Sequence, residues 1–423
     1  MQLPRSILSS GVDEKMELDL VSWMSLALRW FHVMAAIMWI GASVYFVWLD
    51  LALRPPARQQ DKDAGVGGEL WSVHGGGFYH KKKYLVAPPE MPEELHWFKW
   101  EAYLTFISGF LLLCVIYYLN AKLYLIDSSK AHLEPWQAVL IGLAFIGGGW
   151  IVYDTLCRSP LGRDSRVLGV AWGGVLVASA YALCHIFSGR GAFIHVGAMI
   201  GTAMAANVFA VIIPNQKKSV DALLHGEKPD PRLGQKAKQR SMHNNYMTLP
   251  VLLIMISNHY PMLYSVPYNW LILSGLCAAS WPIREFFNLK DKGTVNYGYT
   301  GAGVAGYLLV MFAASRTFSP APPIAEKGVS RAEVRRILRT HCSPCHSDTP
   351  VHAGIPLAPK GIMFDTMDEI KAHAAEIEEQ AVKSENMPLG NETGMTPEER
   401  ARLGAGLAAL TAQRKPQLAK PRV

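Results

Sequence analysis

The apolar stretch VSWMSLALRWFHVMAAIMWIGASVYFVWL, residues 21–49, is long enough to cross a lipid bilayer as one helix. The hydrocarbon core of a bilayer is about 30 Å thick, and a helix needs roughly 20 apolar residues to span it. The stretch is too long for the apolar region of a cleavable signal peptide, and acidic residues precede it. We therefore expect a helix that is retained in the membrane.

Further apolar runs follow along the chain up to residue 318, so the sequence predicts about eight membrane spans. Backbone N–H and C=O groups find no water in lipid, and this restricts a series of such runs to α-helices. We predict an all-α fold, with a polytopic membrane bundle as its larger part. Besides 21–49, the predicted spans are 101–126, 136–157, 166–187, 191–214, 246–264, 267–286 and 298–318.

The lysine and arginine residues lie in alternate loops, which indicates the orientation of the spans. The turns between the basic loops hold only Lys130 and Arg190. Basic loops remain in the cytoplasm, so the pattern places both termini outside it. We predict a multi-pass protein of the bacterial inner membrane. The basic loops are 50–100, 158–166, 215–245 and 284–297.

The chain changes character after the last span, which closes a membrane domain at residues 1–318. The segment SPAPPIAEK, residues 319–327, is rich in proline and predicts a stiff linker. Residues 328–415 are polar and predict a small domain of three helices, with Ser330 as the N-cap of the first. A basic tail follows at 416–423.

The motif CSPCH, residues 342–346, lies in this small domain and is typical of covalent c-type haem attachment. The thiols of Cys342 and Cys345 would add to the two haem vinyl groups, and His346 would bind the iron. A redox CxxC needs no histidine, and a zinc site needs a second pair of ligands. This attachment takes place outside the cytoplasm, where the charge pattern places the domain. We predict a class I-like cytochrome c domain on the periplasmic side.

The haem iron requires a sixth ligand, and methionine raises the haem potential. Met387 is the preferred candidate because Pro388 follows it and because it lies in a loop between two predicted helices. Other side chains of the domain remain as alternatives: Met395, Met363, Met367, His352 and His373.

Four histidines lie within the predicted spans, in the leaflet next to the predicted cytochrome domain: His32, His185, His195 and His259. Ionisable groups at that depth are costly and usually functional. We predict a second haem, of b type, held by two of them, with His32 as the first choice for the iron. The surrounding stretch LRWFHVMAAIMWIGASVYF resembles the first helix of small bacterial membrane proteins thought to bind haem b. The alternative is that these histidines bond neighbouring helices.

Two stretches on the cytoplasmic side carry groups that suit a planar heterocyclic ligand. His74 is followed by three glycines, which allow a backbone to approach a ligand closely. His243, Asn244 and Asn245 open the sixth span with imidazole and amide groups. His74 and His243 are candidate general bases. The alternatives are a flexible loop and a capped helix start.

The stretches HGGGFY (74–79), HNNYMTLPVLLIMISNHYP (243–261), and CSPCH followed by MPLGNETGMT (387–396) occur in this order. Together they resemble the bacterial membrane-bound, cytochrome c-linked urate oxidases, also called urate hydroxylases, over nearly the whole chain. The resemblance implies that a transmembrane domain oxidises urate to 5-hydroxyisourate with water and without hydrogen peroxide. It implies that electrons pass to haem c and then to a soluble or membrane cytochrome c or a terminal oxidase. Membrane lipid is then a partner, and nucleic acid is not.

Two other classes of function stay open on the sequence. One is a membrane-anchored electron carrier, or a quinol-linked cytochrome subunit, without a urate site. The two cytoplasmic stretches count against it, because a carrier needs no ligand site there. The other is an assembly or haem-handling protein, which would not need a methionine-ligated cytochrome.

Overall fold

A bundle of long helices forms the N-terminal three quarters of the computed structural model. The structure describes residues 10–317 and 329–412, apart from 353, 354, 356, 384 and 385. The predicted linker 319–327 and tail 416–423 lie outside the described residues. The long helices of the bundle are α1 (Ser10–Ala52), α2 (Trp100–Leu113), α3 (Pro135–Arg158), α4 (Ser165–Ile186), α5 (Gly189–Ala206), α6 (Pro231–Ser257), α7 (Asn269–Asp291) and α8 (Tyr297–Thr317).

Six helical segments of the described chain are long and apolar enough to cross a membrane, which is compatible with a multi-pass membrane protein. They confirm six of the eight predicted spans. The other two form the helices α6 and α7, which carry buried polar residues such as Arg240 and Arg284 and lack an equally apolar window. The six segments are Trp23–Ala52, Trp100–Tyr118, Pro135–Arg158, Ser165–Ile186, Gly189–Leu224 and Tyr297–Ser315.

Helix α5 lies at the centre of the bundle and packs against α3, α4 and α6. Its side chains Phe193, Met199 and Ile200 are almost completely buried. Gly197 on α5 lets α6 approach closely. A Cβ added at Gly197 would lie only 2.6 Å from Cγ2 of Ile254, so a larger residue would not fit there. Close approach at small residues is a common way for membrane helices to gain packing contacts. The centre of the membrane domain is therefore α5.

The segment between α1 and α2 contains a β-hairpin, which differs from the predicted all-α fold. Strands β1 (Val66–His74) and β2 (Gly77–Tyr84) pair antiparallel. The turn between them contains Gly75 and Gly76, which have φ of 57° and 80°. A two-residue turn with positive φ matches the twist of a hairpin, and glycine adopts it without strain. Two of the three glycines after His74 thus form the turn, and the third, Gly77, begins β2.

The C-terminal domain contains α9 (Arg331–His341), α10 (Met367–Ala372), α11 (Ala374–Ile377) and α12 (Pro397–Ala412). The predicted cap is confirmed, because the Ser330 hydroxyl accepts a hydrogen bond from the backbone N–H of Glu333. The second helix of this domain, predicted within DTMDEIKAHAAEIEEQAV (residues 365–382), is interrupted at His373, where the backbone leaves the helical region. Leucine, isoleucine and valine side chains of these helices form a separate hydrophobic core.

The C-terminal domain rests on one end of the bundle, which we call the docked end. Its loop 386–391 contacts this end through two hydrogen bonds, from Ser128 Oγ to the carbonyl oxygen of Asn391 and from Ser265 to Asn386. The loops 159–164 and 225–230 and the hairpin lie at the opposite end of the helices, which we call the hairpin end. The basic loops of the sequence lie at the hairpin end.

Candidate functional site

A cluster of buried polar side chains lies near the hairpin end, where α3, α5 and α6 meet. Arg240 on α6 is 4% exposed and forms an ion pair with Asp154 on α3, with 2.7 Å between Nη2 and Oδ1. Its Nη1 donates to Oδ1 of Asn207, at 3.1 Å. Asn207 begins the π-helical segment that continues α5, and its Nδ2 donates to the Tyr153 hydroxyl at 3.0 Å. Paired charges and satisfied amides make such burial tolerable.

His243 lies in the same cluster and is held at one ring nitrogen. Its Nδ1 is 2.7 Å from the Tyr153 hydroxyl oxygen. Its Nε2 is buried and has no hydrogen-bond partner among the described residues. The indole Nε1 of Trp172 is also buried and has no hydrogen-bond partner in the part of the chain that the structure describes, and its ring lies 5.0 Å from that of Tyr153. A histidine that is oriented at one nitrogen and open at the other can transfer a proton at the open nitrogen.

The three consecutive residues His243, Asn244 and Asn245 contact different neighbours. Asn244 Oδ1 accepts from Asn207 at 2.8 Å, so Asn244 belongs to the cluster of His243. Asn245 contacts α7 instead, where it accepts from Arg284 Nε and donates to Asn288 Oδ1 at 2.9 Å. Successive residues of a helix point about 100° apart, so residues 243 and 245 point in nearly opposite directions. The structure therefore separates Asn245 from the other two.

His74 lies at the end of β1, directly before the hairpin turn, and its side chain is exposed. No contact within the described residues joins it to His243 or to the cluster around Tyr153. The two predicted general bases thus lie in different environments, one exposed at a hairpin turn and one in a buried polar cluster. Geometry favours His243 as the residue that acts on a bound ligand.

The CSPCH motif forms a tight turn at the C-terminal end of α9. The N–H groups of Cys345 and His346 donate to the carbonyl oxygen of Cys342, at 3.1 and 2.8 Å. Nδ1 of His346 hydrogen-bonds the carbonyl oxygen of Ile362 at 2.9 Å, which leaves Nε2 available as an iron ligand. Burial raises the pKa of Cys342 to about 12 and also raises that of Cys345. Both are neutral thiols at neutral pH, unlike the low-pKa thiols of redox motifs. These features fit haem c.

The candidates for the sixth ligand differ in burial and attachment. Met387 is half-buried in the docking loop 386–391, and its carbonyl oxygen accepts from Arg400 Nη1 at 2.6 Å. Met395 is 2% exposed and packs in the core of the domain. His352 is bonded to Glu392, at 2.9 Å from Nε2 to Oε2. Met363, Met367 and His373 are half-buried.

The four membrane histidines have separate surroundings. Nδ1 of His32 lies 3.0 Å from Ser108 Oγ on α2, whereas Nε2 of His195 lies 3.2 Å from the Tyr118 hydroxyl, ten residues farther along. At about 1.5 Å per residue Ser108 and Tyr118 are about 15 Å apart along their helix, so His32 and His195 lie beside different turns of it. His185 and His259 are exposed near the docked end. Haem b held by two of the four histidines, with His32 as the first choice, stays a prediction.

Several residues of the buried cluster were not found by reasoning from the sequence, namely Tyr153, Asp154, Trp172, Asn207 and Arg240, and the same holds for Arg284, which contacts Asn245 instead. Asp154 and Asn207 carried a usable signal, because each is a polar residue inside an apolar run. The tyrosine and tryptophan carried none, since aromatic residues are common in spans.

Comparisons with known proteins give one family. No curated protein and no solved structure matches the chain. The family model described as urate oxidase N-terminal matches residues 19–315, which comprise the membrane domain and exclude the CSPCH motif. This match spans well over half of the 423 residues. The chain therefore belongs to the urate oxidase N-terminal family.

Proposed function

We propose that this protein oxidises urate to 5-hydroxyisourate and passes the electrons to haem c in its C-terminal domain. The observation that carries the proposal is the half-buried His243, whose Nε2 is buried without a hydrogen-bond partner among the described residues while Tyr153 holds Nδ1. Membership of the urate oxidase N-terminal family supports urate as the substrate. The open donor of Trp172 adds a group that suits the oxygens of a planar purine.

The proposed reaction balances without molecular oxygen. Urate and one water give 5-hydroxyisourate, two protons and two electrons, with a new C–O bond at C5. The proton of the attacking water or of the purine ring would be taken by Nε2 of His243. The Tyr153 hydroxyl would keep the imidazole oriented, and Asn207 would keep the tyrosine in place. A positioned base of this kind contributes about 10²- to 10⁴-fold to a rate.

The C-terminal domain supplies the residues for electron acceptance. Cys342 and Cys345 would carry the thioether bonds, and His346 would be the proximal ligand, with its tautomer set by the carbonyl oxygen of Ile362. Haem c supplies one-electron acceptance and donation when it is bound. Because haem c rather than molecular oxygen accepts the electrons, no hydrogen peroxide forms.

The two parts of the proposed site lie at opposite ends of the bundle. The cluster of His243 is near the hairpin end, and the C-terminal domain is at the docked end. Helix α3 has 24 residues, which at about 1.5 Å per residue correspond to about 36 Å. A carrier between the two ends is therefore part of the proposal, with His32 as the favoured ligand of a b-type haem. Following the positive-inside rule, we propose that the hairpin end, which carries the basic loops, faces the cytoplasm and that the C-terminal domain lies in the periplasm.

The test is anaerobic addition of urate to the purified full-length protein, followed by absorption in the haem c α-band. We expect reduction of the haem, with one 5-hydroxyisourate per two electrons and no peroxide. A membrane-anchored carrier without a urate site would be reduced by dithionite and not by urate, and that result would overturn the proposal.

The variants His243→Gln and His74→Gln then decide which predicted base acts. We expect His243→Gln to slow haem reduction by urate on the order of 10²-fold or more, while His74→Gln retains more of the rate. The reverse order would move the site to the hairpin.

A further inference from the structure

The hairpin presents an apolar face that no other part of the described chain covers. In an antiparallel pair, opposite residues lie on the same side of the sheet, and side chains alternate along each strand. Trp71 pairs with His80 and Val73 pairs with Phe78, so these four share one face. The apolar members are 59%, 64% and 78% exposed for Trp71, Val73 and Phe78. We call these three residues the exposed hairpin face.

The opposite side of the hairpin lies against the last turns of α1. Lys81 Nζ is 5.3 Å from the ring centre of Tyr45 and 5.9 Å from that of Trp48. Lys83 Nζ is 2.6 Å from Oδ1 of Asp50. These partners belong to the candidate span Trp23–Ala52, so the hairpin lies beside a segment that crosses the membrane.

The contacts also give the direction of the hairpin. Lys83 reaches Asp50, whereas Lys81, two residues nearer the turn, reaches Tyr45 and Trp48. From its base toward its turn, the hairpin therefore extends alongside α1 in the direction of the earlier residues of the span. Residues 81–83 consequently lie beside the last turns of the span, and the exposed hairpin face continues from them toward the turn, in the direction that leads back into the span.

Polar groups at the base of the hairpin are already paired within the chain. Lys82 Nζ is 2.5 Å from Oδ1 of Asp61, and His80 Nε2 is 2.5 Å from Oε2 of Glu69. The charges are thus partnered at the base, and the apolar side chains are exposed near the turn. Tryptophan, tyrosine and lysine are the residues enriched where a membrane protein meets the headgroup region, and lysine reaches outward from such a position.

We propose that the exposed hairpin face enters the boundary between headgroups and acyl chains of the bilayer leaflet at the hairpin end. Lipid is the occupant that the geometry favours, because the hairpin is continuous with the end of a membrane span and runs back along it. The hairpin then anchors the long connection between α1 and α2 to the membrane surface. This proposal does not depend on urate as the substrate.

The test places a fluorophore on the hairpin and asks whether lipids quench it. Phe78→Cys and, separately, Val73→Cys would be labelled with an environment-sensitive maleimide dye in the full-length protein. Each would be reconstituted into phosphatidylcholine vesicles with nitroxides on the upper acyl chain. Glu227→Cys is the matched control, because it is an exposed residue in a loop at the same end of the bundle. The unsubstituted protein, labelled in parallel, corrects for reaction at native cysteines.

We expect the acyl-chain nitroxides to quench the label at 78 and at 73 severalfold more than the label at 227. Equal quenching at all three positions, together with quenching by aqueous iodide, would place the face in water and overturn the proposal. Protection from both quenchers, with cross-linking of Phe78→Cys between two copies, would assign the face to a second copy of this chain and also overturn it.

Discussion

Around His243, a buried arginine would be costly without its ion-pair partner, and this ion pair also fixes the positions of the neighbouring side chains. Arg240 is buried, and its guanidinium lies 5.1 Å from the ring centre of Tyr153 while it pairs with Asp154. Removing one partner of a buried ion pair leaves an uncompensated charge, and such changes cost about 3–5 kcal/mol. The pair therefore fixes α3 against α6 at the point where Tyr153 and His243 meet. The same contacts that hold the helices together orient the candidate base.

The variant Tyr153→Phe tests this orientation. We expect a lower kcat for urate-dependent haem reduction, a KM that changes less, and a shifted pH profile, because Nδ1 of His243 loses its partner. The matched control is Tyr117→Phe. It removes a buried tyrosine hydroxyl bonded to Asn258 at 2.9 Å, near the docked end. Equal kinetics for the two variants would show that Tyr153 has only a structural role.

Two methionines of the C-terminal domain give a matched pair for the sixth ligand. Met387→Ala should remove the absorption band of a methionine–iron bond and lower the haem potential, because Met387 is half-buried in a loop. Met395→Ala should keep the band and lower the free energy of unfolding by about 2–5 kcal/mol, because Met395 is part of the core. Spectra of the oxidised proteins and denaturant unfolding measure both effects. Loss of the band in Met395→Ala but not in Met387→Ala would show that Met395, rather than Met387, is the iron ligand.

At the scale of elements, Glu69 joins the hairpin to the chain that follows α1. Its Oε1 accepts from the backbone N–H of Ala57 at 2.6 Å, and the backbone groups of Glu69 and Arg54 bond each other. The Ala57 N–H, and after it the His80 side chain, hold the pKa of the Glu69 carboxyl below its ordinary value. A carboxyl with a depressed pKa stabilises the folded state above its ordinary pKa, and this stabilisation is lost as the pH falls through the folded-state value.

Acidification should therefore loosen the attachment of the hairpin. We expect the amides of Arg54 and Glu69 to lose protection from hydrogen exchange, corrected for intrinsic rates, between about pH 5 and about pH 3. Glu69→Gln should show low protection and little pH dependence over this range. Equal pH dependence in the variant would assign the effect to another carboxyl group.

At the scale of the whole molecule, the loop with Met387 is also the loop that docks the C-terminal domain. Gly390 in this loop has φ of 58°, and a Cβ there would lie 2.7 Å from the carbonyl oxygen of Ile126 and 3.0 Å from that of Lys122. Ile126 in turn bridges to Phe187, whose ring lies 5.2 Å from that of His195. Backbone contact at Gly390 thus links the candidate iron ligand to the centre of the membrane domain.

Gly390→Ala should displace the C-terminal domain from the docked end. Gly394→Ala is the control, because Gly394 has a similar φ of 65° and nothing within 4 Å of the position of a new Cβ. In both variants a residue with a Cβ adopts positive φ, which costs about 1–2 kcal/mol. Only in Gly390→Ala does the new Cβ also clash with a backbone carbonyl oxygen. We expect lower disulfide yield between Ser265→Cys and Asn386→Cys, and slower haem reduction by urate, in Gly390→Ala alone. Equal yields in the two variants would contradict docking through Gly390.

The sequence by itself determined the long apolar helices and the CSPCH motif. Six spans follow from length and hydropathy, because lipid admits a long apolar run only as a helix. The pattern of CSPCH is equally local, since Cys342, Cys345 and His346 are adjacent in one turn. Such features survive any arrangement of the rest of the chain.

Only the tertiary structure decided the composition of the site. Tyr153, Asn207 and His243 are separated by 36 residues or more and meet because α3, α5 and α6 pack together. Asn245 was expected beside His243, but two residues of helix turn it toward α7. The position of Gly75 and Gly76 in a hairpin turn became visible only in the structure. Contacts between distant residues depend on which helix faces meet, and this is set by packing of the whole bundle rather than by any short stretch of sequence.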